Sequence, residues 1–138
     1  MMIRLIYASR CTTIGPGDVK DILASSRRNN QKLAVTGALC LSNGIFLQCL
    51  EGDRAVVNAL YHRLLKDPRH TDPQILSFEE ATKRIFSGWN MGLVAATNEN
   101  AEIFLKYSTV PSFDPYQMSA QALQEFFAEM LATTRWLS

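Results

Sequence analysis

Apolar side chains recur along this chain in two rhythms, a strand-like alternation and a helical i, i+3, i+4 repeat, and these divide it into elements. Ile3 to Ser9 is a short β-favouring run and reads as a first strand. Gly15-Pro16-Gly17 punctuates, Asp18 is placed to cap a helix, and Val19, Ile22, Leu23 and Ser26 fall on one face of it. The pattern runs out at Asn29-Asn30. Leu33 to Leu41 reads as a second strand, Ser42-Asn43-Gly44 as a hairpin turn, and Ile45 to Leu50 as the returning strand. Gly52-Asp53 opens a second helix whose stripe is Val56, Val57, Leu60, Tyr61, Leu64 and Leu65, and Pro68 stops it. Gln74 to Thr82 predicts a fourth strand, Ile85 to Gly88 a turn, and Trp89 to Ala95 a fifth strand.

The order βαββαββ contains one split βαββαβ unit, which predicts an α+β, ferredoxin-like sandwich with both helices on one sheet face and an added fifth strand. In the third strand Phe46, Gln48 and Leu50 alternate with Ile45, Leu47 and Cys49, so both sheet faces need cover. The tail can supply it. Glu99 to Tyr107 predicts a short helix, and Ser119 caps a longer one striped with Leu123, Phe126, Phe127, Met130 and Leu131. We expect this C-terminal pair on the opposite sheet face; the alternative is that the stripe is a dimer or partner surface. The reading is one domain over residues 1–96 with a helical extension over 97–138 packed on the sheet.

Composition narrows the function. The chain has 138 residues, of which 47% are hydrophobic and 20% charged, so it can build a real core. A net charge of +1 argues against a nucleic-acid binder or a polybasic membrane-surface protein. No run approaches a membrane span, and Met1 to Tyr7 has no signal-peptide pattern, so a cytoplasmic protein is expected. The three cysteines, Cys11, Cys40 and Cys49, lack metal-ligand spacing and suit reduced thiols.

Four polar features resist a purely structural reading. Gln48 is the one strongly polar side chain in its apolar strand, and a buried amide without partners costs roughly 1–3 kcal/mol. Tyr7 shares a face with Ile3 and Leu5, and the split order makes its strand a neighbour of Gln48's. Asn29-Asn30 follow Ile22 and Ser26 along one helix face. Arg63 and Asp67 continue the second helix's stripe, with Pro68-Arg69-His70 behind them. Each has an ordinary explanation taken singly: a satisfied amide, a core tyrosine, a helix cap, an exposed ion pair. Together they surround the gap between the helices, with Ile22, Phe46 and Leu64 as apolar walls and Asn30, Gln48 and Arg63 as amide and guanidinium groups. That combination suits a flat aromatic ligand with polar atoms along one edge. No phosphate-cradling glycine loop is present.

The sequence resembles the BLUF domain, the blue-light sensor that uses flavin. The pieces that carry the resemblance are Leu5-Ile6-Tyr7-Ala8-Ser9, Ser25-Ser26-Arg27-Arg28-Asn29-Asn30, Val35-Thr36-Gly37, Phe46-Leu47-Gln48 with Leu50-Glu51-Gly52, Asp67-Pro68-Arg69-His70, and Trp89-Asn90-Met91. They span residues 3 to about 95 in order. Leu105-Lys106-Tyr107-Ser108 and Phe113-Asp114-Pro115 are similar to the tail of the short, stand-alone type. Two positions depart from the family pattern: Asn90 stands where Ser is usual, and Ala34 where Gly is common.

The resemblance implies a photoreceptor and not an enzyme. Tyr7 would be the light-reactive tyrosine and Gln48 the relay between it and the flavin. Asn30 would hold the ring's polar edge with Asn29 beside it. Arg63, Asp67, Arg69 and His70 would surround the pyrimidine and ribityl sides, and Ile22 and Leu64 would sandwich the ring, with Ser26 and Phe46 completing the pocket. Trp89 and Met91 would be a fifth-strand pair carrying the output. The implied mechanism is light-driven, proton-coupled electron transfer from Tyr7 through Gln48, which rearranges the flavin's hydrogen bonds and shifts its absorption to the red. The implied cofactor is FAD, with FMN or riboflavin as alternatives. The implied partner is a protein effector acting in trans, such as a response-regulator-like protein, and a homo-oligomer is expected. Two other readings stay open from the residues: an acylphosphatase-like hydrolase on the same fold, and a flavin-free interaction module.

Overall fold

The computed structural model describes residues 1–11, 16–95 and 100–133. Its strands are β1 (Met2–Cys11), β2 (Thr36–Ser42), β3 (Ile45–Asp53), β4 (His70–Glu80) and β5 (Gly92–Ala95). Its helices are α1 (Pro16–Leu33), α2 (Arg54–Leu64), α3 (Ala101–Lys106) and α4 (Ala120–Thr133), with one 3-10 turn at Pro115–Gln117. The sheet order is β4-β1-β3-β2-β5. β3 runs antiparallel to both β1 and β2, β4 runs antiparallel to β1, and β5 lies parallel to β2. This is the ferredoxin-like arrangement with a fifth strand added at one edge, as the order of elements predicts.

Alternation in β3 sorts the two cores. Phe46 and Leu50 join Tyr7, Leu23, Leu39, Val57, Leu60, Tyr61 and Met91 under α1 and α2. Ile45, Leu47 and Cys49 join Ile6, Ala8 and Cys40 against Phe104, Phe113, Leu123, Phe126, Phe127 and Met130 from the C-terminal segment. The stripe of α4 therefore covers the opposite sheet face rather than facing a partner. Phe126 and Phe127 are wholly buried there, each contributing roughly 1.5–3 kcal/mol of transfer free energy. Ser119 caps α4 as expected, its hydroxyl accepting from the Ala122 amide at 3.1 Å. At the hairpin, Asn43 and Gly44 both take positive φ (55° and 71°), the pair required by the tight turn between twisted strands.

Several boundaries move from their expected places. α1 begins at Pro16, so Asp18 lies inside the first turn. It also runs past Asn29-Asn30 to Leu33, because a Schellman cap closes it one turn later. The Val35 amide donates to the Asn30 carbonyl (2.9 Å), and Ala34 sits between them at φ 55°. Leu33 is thus helical and β2 starts at Thr36. β4 starts earlier, at His70, where its pairing with Cys11 begins. Leu65 falls beyond α2 and is exposed. Trp89, Asn90 and Met91 precede β5 instead of belonging to it: the Trp89 amide turns back to the Phe86 carbonyl (2.9 Å). The Trp89 carbonyl is taken by the Gly37 amide (3.0 Å). The expected turn residue Gly15, the helix start at Glu99 and the boundary between residues 96 and 97 lie outside the described residues.

Candidate functional site: a cleft between two helices over the sheet

β1 and β3 pair in a register that places Tyr7 directly opposite Gln48. Both side chains are buried, and the Tyr7 hydroxyl donates to Gln48 Oε1. Burial raises the Tyr7 pKa above its ordinary value, with Tyr61 and Asp67 adding to the effect. The Tyr61 ring meets the Tyr7 ring edge to face, with centroids 5.1 Å apart. The other end of the Gln48 amide, Nε2, lies 3.5 Å from the Met91 sulfur. A thioether is a weak acceptor, so this donor is poorly satisfied by the protein alone.

Gln48 floors a cleft with about 490 Å³ of empty space, open to solvent. Its lining brings together Ile22, Ser26, Asn29 and Asn30 from α1, and Arg63 and Leu64 from α2. Asp67 and Arg69 close one end. An adjoining hollow adds Tyr7, Phe46 and His70. All the expected pocket residues thus converge on one place. Sequence reasoning missed Ser25, Leu39, Leu50 and Leu60, which also line these spaces. Strand alternation and the α2 stripe carried the signal for three of them.

The polar groups are arranged by local chemistry. Asn30 is nearly fully buried and its Nδ2 donates to the Asn90 carbonyl at 2.7 Å, so one donor is committed to the segment before β5. Asn29 is exposed at the cleft edge. Asp67 lies beyond α2 and pairs with Arg69, not with Arg63 as helical spacing suggested: Arg69 Nη2 is 2.6 Å from Oδ2 and Nε is 3.0 Å from Oδ1. The Arg69 guanidinium holds the Asp67 carboxyl below its ordinary range, and Asp67 raises Arg69 in turn. His70 contacts the Leu64 carbonyl through Nε2 (2.7 Å) and the Ser9 hydroxyl through Nδ1 (2.9 Å). A carbonyl only accepts, so Nε2 carries the proton. Both ring nitrogens are occupied, and His70 ties β4 to the end of α2.

Met91 and Trp89 part company. Met91 is 1% exposed on the cleft side, and its carbonyl accepts from Arg27 Nε at 3.0 Å. The Trp89 ring packs beside Phe86 in the opposite core, with centroids 6.0 Å apart. Only Met91 of this pair faces Gln48.

The donor set fits an isoalloxazine. Its pyrimidine edge carries carbonyl acceptors and an N–H, which Gln48 Nε2, the Asn29 and Asn30 amides and Arg63 can match, between Ile22 and Leu64.

Comparison with known proteins agrees. The family described as "Sensors of blue-light using FAD" (BLUF) matches residues 2–92. The chain belongs to the BLUF family of blue-light flavin sensors. It is 35% identical over 102 residues to photoactivated adenylate cyclase subunit beta of Euglena gracilis, covering 72% of this chain and 12% of that one. It is 28% identical over 136 residues to the blue light- and temperature-regulated antirepressor BluF of Escherichia coli, covering 96% of this chain and 34% of that protein. The chain therefore spans only a minor part of these curated relatives. Among solved structures it resembles BlsA in its photo-activated state (30% identity, TM-score 0.89, 98% of both chains). It also resembles the dark state of BlrB, a BLUF protein (26% identity, TM-score 0.80, 96% of both). Among the described residues no helix is long and apolar enough to cross a membrane.

Proposed function

We propose that this chain is a non-enzymatic, cytoplasmic photoreceptor. It binds FAD non-covalently through the ring, so FMN or riboflavin could replace it, and it signals to a protein effector in trans. The observation that carries the reading is the buried hydrogen bond from Tyr7 to Gln48 at the floor of a cleft walled by Ile22 and Leu64. Bound there, the flavin supplies the photo-oxidant and a polar ring edge whose hydrogen bonds set the absorption. The protein supplies the proton path. Tyr7 is held neutral by burial, so its phenol yields an electron readily only as the proton leaves. Gln48 Oε1 is in place to receive that proton, while Nε2 donates from the other end. Rotation or tautomerisation of the amide exchanges the groups facing Tyr7, Met91 and the cleft. Met91 is the first side chain outside the cleft to register the change, and it joins the segment that Asn30 and Arg27 hold.

The relatives' names include a cyclase and an antirepressor, which supports an effector role through a separate protein or domain. The test is absorption spectroscopy in darkness and under blue light, with the released flavin identified by chromatography. The native protein is expected to be yellow and to shift reversibly to the red. Tyr7→Phe and Gln48→Leu are expected to stay yellow and silent. A colourless protein, or a normal shift in Tyr7→Phe, overturns the proposal.

A further inference from the structure

A second cleft lies on the far side of α1, behind the segment that carries Met91. It holds about 680 Å³ of open space and is lined by Arg27, Arg28, Gln31, Gly88, Asn90 and Met91. None of these residues is acidic, in a chain whose overall charge is only +1. Arg28 and Gln31 are exposed. The rim is open at Gly88, where an added Cβ would meet nothing within 4 Å. Immediately after Met91, β5 begins at Gly92 as the edge strand of the sheet, and among the described residues it pairs only with β2. An unpaired strand edge offers backbone donors and acceptors to an extended chain, which a small anion cannot use. A cluster of guanidinium and amide groups beside that edge complements carboxylates.

The geometry points to this cleft as the docking surface for an extended, acidic peptide segment of a partner protein, placed where the Met91 backbone forms its floor. The light dependence of docking rests on the photoreceptor reading; the charge and shape of the surface do not. The route is short. Gln48 Nε2 touches the Met91 sulfur, the Met91 carbonyl is held by Arg27 Nε, and Arg27 lines the docking cleft. A change at Gln48 that moves Met91 alters the cleft floor without a rearrangement of the core.

The experiment uses the full chain with its flavin and fluorescein-labelled decapeptides in fluorescence anisotropy, each measured in the dark and under blue light. One peptide alternates Glu and Val; the control alternates Gln and Val; a labelled single-stranded oligonucleotide is the third probe. We expect the Glu–Val peptide to bind at least about tenfold more tightly than the control. Arg28→Glu should weaken it by about tenfold with the flavin spectrum unchanged, since Arg28 lines the second cleft and neither the Gln48 cleft nor its adjoining hollow. Illumination should change its Kd by about threefold or more. Equal binding of both peptides, no effect of Arg28→Glu, or an oligonucleotide that binds as tightly as the Glu–Val peptide overturns the inference. The flavin spectrum of the same samples separates the two claims. A normal red shift without selective peptide binding removes the docking surface and leaves the photosensor. Selective, Arg28-dependent binding in a protein with no red shift keeps the surface and removes the photosensor.

Discussion

Glu51 offers the sharpest quantitative test of how the sensing end is built. Its carboxylate is wholly buried, yet it accepts four hydrogen bonds from three separate stretches of chain. These are Arg4 Nε (3.0 Å), the Thr36 hydroxyl (3.0 Å), and the amides of Ile85 (2.8 Å) and Phe86 (3.0 Å). Glu51→Ala removes all four. Arg4 keeps Glu79 and the Lys83 carbonyl, and Thr36 keeps Arg84, but the two amides lose their acceptor. Orphaned buried donors cost roughly 1–3 kcal/mol each. Removing one member of a buried charged network costs about 3–5 kcal/mol, which agrees with that sum. For a chain of this size the loss corresponds to a fall in Tm of roughly 10–20 °C. The assay is thermal unfolding in darkness by far-ultraviolet circular dichroism, with dark recovery measured on folded protein in the cold. Recovery should change as well, because the two amides begin the stretch that leads to Met91. A Tm within about 3 °C of the native value, near 1 kcal/mol, refutes this account of Glu51.

Ala34→Gly should raise stability by about 0.5–1 kcal/mol, since Ala34 holds φ 55° at the α1 cap and glycine relieves that strain at some cost in chain entropy; a lower Tm contradicts it. Met91→Leu keeps the volume and loses the sulfur facing Gln48, so the protein should stay yellow while dark recovery changes by a few-fold, equivalent to less than about 1 kcal/mol. Trp89→Ala should keep the red shift, because its ring lies in the opposite core, and should alter recovery; loss of flavin binding would show a structural role. The amplitude of the red shift should not follow an ordinary phenol titration up to pH 10. Tyr7 has a raised pKa, so its neutral form persists above the unfolded value of about 10 and is lost only as pH rises through the higher folded one; a titration near pH 9 excludes this.

The sequence made the sheet legible because alternation and turn chemistry are local. Asn43-Gly44 announces its hairpin, and the order of elements makes the strands of Tyr7 and Gln48 neighbours, while the register that sets the two residues opposite each other is seen only in the fold. Glu51 was illegible for the opposite reason. Its partners come from residues 4, 36 and 85–86, and nothing in the local pattern marks a carboxylate as buried when its compensation is assembled from afar. The Asp67 partner was misread on the same principle: i, i+4 spacing points to Arg63 only while the helix lasts, and α2 stops at Leu64. The Asn pair looked like a helix end because Asn favours such places. The cap that actually closes α1 uses Ala34, a residue with no propensity for that conformation.

The placement of Trp89 and Met91 follows from that limit, and under the proposed function it gives the site a path to both sides of the sheet. In a regular strand, residues two apart share a face, so alternation assigns both side chains to one core. Here the backbone is fixed instead by three tertiary bonds: Gly37 to the Trp89 carbonyl, Asn30 to that of Asn90, and Arg27 to that of Met91. Freed from strand geometry, the segment sends Met91 into the core beneath α1 and α2 and Trp89 into the core beneath α4. A displacement at Met91 then reaches Trp89 through two peptide units, and Phe86 beside it packs edge to face on Phe127 of α4 at 5.9 Å. Packed aromatic contacts of this kind shift between discrete arrangements rather than deforming smoothly. An irregular segment is therefore better suited to relay a change across the sheet than the regular strand that the apolar pattern predicts.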